Sequence, residues 1–157
     1  MKALTLILLA SLSIAQTSGS AWQTLKSLAG EWQAISPDGK VYRVRYQVIS
    51  SGSAVMETLN PPDEPDMVSV YHQDGGRIAM RHFCSANNQP SLEAEATAGS
   101  SLQFRFVSAS NLRSPAAGHI HGLVMEFASA DQIRHRWTWR ENGKDSVLVL
   151  NLQRKRR

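Results

Sequence analysis

The side chains in this sequence that could do chemistry are mostly imidazoles. Its five histidines fall on or beside stretches in which apolar and polar residues alternate. His82 and Cys84 stand two apart, in phase with Ile78 and Met80. His119 and His121 also stand two apart, in phase with Leu123, Met125 and Phe127. His135 is in phase with Ile133, Trp137 and Trp139. Residues two apart on a strand point to the same side. Three separate segments therefore each direct an imidazole or a thiol toward one apolar side. His72 is in phase with Val68 and Val70.

Three chemistries follow from that convergence. An organic ligand could sit among apolar walls with a few polar anchors, as small-molecule sites do. The walls would be Tyr42, Tyr46, Phe104, Met125 and Trp137, and the anchors His82, His119, His121 and His135 with Cys84 beside them. A transition metal could be held by His82, Cys84, His121 and His135, since imidazole nitrogen and thiolate sulfur suit zinc, copper or iron. Cys84 with a nearby His could also form a nucleophile–base pair, although no orienting group or oxyanion donor is readable. The plain alternative is that the histidines only hydrogen-bond one another, Tyr71 or water. No Gly-x-Ser-x-Gly, phosphate loop, His-Glu-x-x-His or dinucleotide fingerprint occurs. Asp74, Asp131 and Glu141 fall in turns, and Glu57 is out of phase with Met56 and Thr58.

Such side chains need elements to position them. Trp22, Leu25 and Leu28 recur at spacing three, which suits a short helical turn. From Gly30 the period becomes two. Strands are predicted over Glu31–Ser36, Lys40–Ile49, Ser53–Asn60, Met67–Gln73, Arg77–Cys84, Ser91–Ala98, Ser101–Ser108, His119–Ala128, Gln132–Arg140 and Asp145–Leu152. Pro37-Asp38-Gly39, Asp74-Gly75-Gly76 and Asn142-Gly143 are hairpin turns between them. Short links throughout favour a meander, and a meander of this length removes its edges by closing. The fold class is therefore all-β: a single antiparallel up-and-down β-barrel of about ten strands with a short N-terminal helical turn. The last strand is apolar on both faces, so the helical turn is expected to cover its outside. The segments Asn60–Asp66 and Ala109–Gly118 are longer and suit a barrel mouth.

The chain has 157 residues and reads as one domain. Met1-Lys2 followed by an apolar run to Ala15 reads as an export leader, 1–15, too short to span a bilayer. Residues 16–29 form a linker and the helical turn, 30–153 the barrel, and 154–157 a basic tail. Of 17 basic residues, five (Lys2, Arg154, Lys155, Arg156 and Arg157) lie at the ends, leaving 12 against 13 acidic ones. A near-neutral body does not suit nucleic acid. No transmembrane segment is expected after leader removal, and one cysteine allows no internal disulfide. The expectation is an exported, periplasmic or extracellular barrel that binds a small, largely apolar ligand through histidine anchors. A metal- or haem-binding barrel and a small hydrolase or isomerase of unknown substrate are the alternatives.

Gly30-Glu31-Trp32, at the first strand after a helical turn, resembles the opening of the lipocalin and fatty-acid-binding barrels, the calycin group. That resemblance implies a Trp closing the barrel floor beneath an Arg, a role open to Arg140 or Arg154. Nitrobindin-type haem barrels have a similar opening, with a proximal His near the C-terminal end; the last His here is His135. The stretches Tyr71-His72-Gln73-Asp74-Gly75, His82-Phe83-Cys84, Asn88-Gln89-Pro90, Gly118-His119-Ile120-His121 and Trp137-Thr138-Trp139 resemble a family of small exported bacterial proteins without assigned function. This resemblance implies a bacterial, exported barrel and supplies no activity.

Overall fold

Strict alternation on successive segments leaves each strand one apolar side to bury, and closing the sheet on itself buries all of them at once. The computed structural model describes residues 19–95 and 100–156. A helix, α1 (19–27), precedes ten strands. They are β1 (Gly30–Ile35), β2 (Val41–Ile49), β3 (Ala54–Asn60), β4 (Met67–Asp74), β5 (Arg77–Phe83), β6 (Gln89–Ala94), β7 (Ser101–Ser110), β8 (His119–Ser129), β9 (Gln132–Glu141) and β10 (Lys144–Arg154). Each strand pairs antiparallel with its sequence neighbour, and β1 pairs β10 through Trp32 with Arg154 and Gln33 with Gln153, closing the barrel. No helix among the described residues is long and apolar enough to cross a membrane. The leader lies outside the described residues, as does the end of the sixth predicted strand.

The Gly30-Glu31-Trp32 opening has a physical basis. Trp32 is fully buried and its indole N–H donates to the Leu28 carbonyl at 2.8 Å. The Arg154 guanidinium lies 4.2 Å from the Trp32 ring centre and donates to the carbonyls of Ala29 (2.9 Å) and Ser27 (3.0 Å). Arg154, not Arg140, is thus the floor arginine, and it belongs to β10 rather than to a solvated tail. Gly30 has φ +135°, and a Cβ there would stand 3.1 Å from Arg154 Nη1, so the position suits only glycine.

The N-terminal helix does not cover the outside of β10. Its apolar stripe of Trp22, Leu25 and Leu28 is buried beside Trp32 and plugs the floor. Val147, Leu148 and Val149 stay 51%, 42% and 38% exposed. The opposite rim carries the turns after β1, β3, β5, β7 and β9, including both long segments, and forms the mouth.

Candidate functional site

At mid-height the barrel wall turns a connected set of polar side chains inward. β3 alternates Val55, Glu57 and Leu59 to the inside, so its geometry buries a carboxylate among apolar neighbours. Tyr46 of β2 and Tyr71 of β4 flank it on the paired strands. Both phenols donate to the same oxygen, Glu57 Oε2, at 3.0 Å from Tyr46 and 2.5 Å from Tyr71. The Tyr46 oxygen also lies 3.0 Å from His135 Nε2 on β9. His135 meets Trp137 edge-on at 6.1 Å between ring centres, and Trp137 lies 5.2 Å from His82 of β5. His82 Nδ1 is 2.9 Å from Ser69 Oγ on β4, which completes the circuit. Every member is at least nine-tenths buried.

Burial sets the protonation of this cluster. Removal from water disfavours charge, and it raises the Glu57 carboxyl from 4.5 to about 7 although the two phenol bonds pull the other way. Burial lowers His82 to about 4 and His135 to about 3, so both imidazoles are neutral near pH 7. The phenols of Tyr46 and Tyr71 are pushed well above their ordinary value by burial and by the Glu57 charge. Four buried polar atoms of the set have no hydrogen-bond partner: Glu57 Oε1, His82 Nε2, His135 Nδ1 and Trp137 Nε1. Buried polar atoms are ordinarily paired, so four orphans on one connected cluster call for an explanation.

The other sequence-predicted residues divide in two. Phe104 packs edge-on to Tyr71 at 5.5 Å, and Met125 is fully buried opposite His135 in the register, so both line the interior. Tyr42 is partly buried against the core. His119 and His121 gather instead at the mouth, around Phe106, whose ring centre is 4.8 Å and 4.9 Å from theirs. Arg140 Nη1 lies 2.6 Å from His121 Nε2, His121 Nδ1 lies 3.2 Å from His119 Nε2, and His119 Nδ1 lies 2.8 Å from the Ala117 carbonyl. Burial first, then the Arg140 charge, lowers the His121 imidazole.

Cys84 does not share the strand of His82. β5 ends at Phe83, and Cys84 opens a tight turn in which its N–H donates to the Asn88 carbonyl at 3.2 Å. Its thiol is raised, chiefly by burial, which leaves it a poor nucleophile at neutral pH. His72 points outward and is exposed. Among the described residues no three His, Cys, Asp or Glu side chains are placed to hold one metal ion.

Glu57, Tyr71 and Ser69 were missed as site residues. The phase comparison set Glu57 against Met56 and Thr58, which face outward; the informative neighbours were Val55 and Leu59. An acidic residue in phase with two aliphatic ones was the available signal.

No protein-family model matches the chain, and no curated protein matches it. Among solved structures the chain is similar to Rv2717c from M. tuberculosis, with a TM-score of 0.51 at 13% identity, over 87% of this chain and 98% of that one. At that identity the likeness speaks for the barrel fold alone.

Proposed function

We propose that the barrel is an exported carrier of a small, largely apolar organic molecule, held at mid-height among Tyr46, Phe104, Met125 and Trp137 and anchored by Glu57, His82 and His135. The observation that carries this reading is the set of four partnerless buried polar atoms on one connected cluster. Leaving a buried polar group unpaired costs about 1–3 kcal/mol. A bound molecule that satisfied several of them would recover much of that cost. The surroundings are apolar and aromatic, which matches the usual make-up of a ligand site. The floor is shut by Trp32 and Arg154, so a ligand would pass through the mouth. An open groove of about 320 Å³ lies there, lined by Asn88, Asn111, Gly118 and Trp139 among others. The leader-like segment 1–15 supports export, and the Trp32–Arg154 stack supports a calycin-like kinship.

Native mass spectrometry of the mature protein tests the reading. The expected result is an added organic mass that denaturing spray removes and that His135→Phe reduces. A spectrum showing only the polypeptide, with no binding of an aryl alcohol probe such as 2-phenylethanol, overturns it.

A further inference from the structure

We propose that the polar end of the ligand is a small organic cation, an ammonium group that donates N–H bonds to Glu57, His135 and His82. This rests on the interior-binding reading and adds the ligand's charge to it.

The direction of each hydrogen bond is the first support. A phenol has a single proton. Tyr46 donates its proton to Glu57 Oε2, so the contact between Tyr46 and His135 must be donated by the imidazole Nε2–H. That tautomer leaves His135 Nδ1 as a bare lone pair, and Nδ1 is the atom without a partner. In the other arm Tyr71 donates to Glu57 Oε2, and Ser69 Oγ lies 2.9 Å from His82 Nδ1, which leaves His82 Nε2 without a partner. Both arms converge on Glu57 Oε2 and leave Oε1 open. The orphans whose role these bonds fix are two acceptors, Glu57 Oε1 and His135 Nδ1, against one donor, the Trp137 indole N–H, and His82 Nε2 accepts in the tautomer that carries its proton on Nδ1. A site of that make-up suits a ligand rich in donors.

Charge is the second support. Glu57 is buried, and among the described residues every Lys and Arg is at least partly exposed. The carboxylate has no cationic counterpart inside the barrel. A buried charge needs a partner of opposite sign with good geometry, and lacking one it takes up a proton. An incoming ammonium supplies both the charge and the donors. The rings of Tyr46, Tyr71, Phe104 and Trp137 around the cluster would add cation–π attraction. A bare metal ion fits less well, since among the described residues no three His, Cys, Asp or Glu side chains are placed around one point.

The test compares two probes of the same shape, 2-phenylethylammonium and 2-phenylethanol, titrated calorimetrically into the full chain and into Glu57→Gln. At about pH 8 the wild type should bind the ammonium about tenfold or more tighter than the alcohol, because charge-assisted bonds are roughly twice as strong as neutral ones. At about pH 5.5 the carboxyl is protonated and the preference should fade. Glu57→Gln should abolish the preference, so that the two probes bind it with similar affinity. Equal affinities, or a preference for the alcohol, overturn the cation while leaving interior binding intact. Binding of neither probe, with no retained mass in the native spectrum, brings down both. Should Glu57→Gln fail to melt cooperatively, the wild-type pH series decides alone.

Discussion

The barrel carries two histidine clusters, one at mid-height and one at the mouth, and they differ in whether their hydrogen bonds close. At the mouth the chain is complete: Arg140 donates to His121, His121 to His119, and His119 to the Ala117 carbonyl, while Arg140 also grips Asp145 at 2.6 Å and 2.8 Å. No ring nitrogen there is left over for a ligand. At mid-height the chain runs His135 to Tyr46 to Glu57 and stops, with four atoms unspent. Two clusters with the same residue type thus have different capacities. The satisfied one fixes the loop between β7 and β8 to the wall; the unsatisfied one can bind.

The largest expected effect breaks the comparison at Glu57. Its carboxyl is raised from 4.5 to about 7, so the folded protein holds that proton more tightly than the unfolded chain. The resulting stabilisation is complete below about pH 4.5 and is lost as pH rises through about 7, by about 3 kcal/mol at 1.4 kcal/mol per unit. Glu57→Gln lacks this loss. Relative to wild type it should gain about that much between acid and neutral pH, read from urea melts across the range. The lowered imidazoles act with the opposite sign: their contribution is present above pH 6.5 and is lost as pH falls through about 4 for His82 and about 3 for His135. Both proteins share that term, so the difference isolates Glu57. A difference that stays flat with pH would mean that water reaches the carboxyl.

Next in size is Tyr46→Phe, which removes the one hydroxyl that serves both Glu57 and His135. It strands an imidazole N–H and should cost about 1–3 kcal/mol. Tyr71→Phe should cost a similar amount. Either change should raise the Glu57 carboxyl further, because both phenol bonds hold it down. Carboxyl-carbon NMR titration reads that shift.

The barrel was legible because alternation is a local signal. Arg43 and Arg45 set against Val44 and Tyr46 already declare the inside of β2, and all ten strands appear where period two appears. β6 begins at Gln89, two residues before the predicted Ser91, with Pro90 in the strand opposite Ala109, next to a bulge between Ser91 and Leu92. The site was half legible. Phase brought His82, His135, Phe104, Met125 and Trp137 inward. It could not separate mid-height from mouth, because that depends on strand stagger, a long-range property. Phase also placed Cys84 on β5 one residue past the strand's end.

The smallest effects belong to the mouth, where they sharpen the comparison. The Arg140–Asp145 pair is 36% and 43% exposed and screened by solvent, so Asp145→Asn should shift the urea midpoint little. Arg140→Ala removes a positive charge beside His121, and the imidazole should titrate higher than in wild type, as ring-proton NMR would show. His121→Ala carries the most information. Position alone would make His121 an anchor equal to His135, and then either deletion should weaken 2-phenylethanol binding. In this structure His121 has both nitrogens engaged and His135 has one free. His121→Ala should therefore leave probe affinity unchanged while His135→Ala lowers it several-fold, about 1 kcal/mol for one lost hydrogen bond. If His121→Ala alone loses affinity, the ligand lies at the mouth, and the partnerless atoms at mid-height would have to be satisfied by buried water.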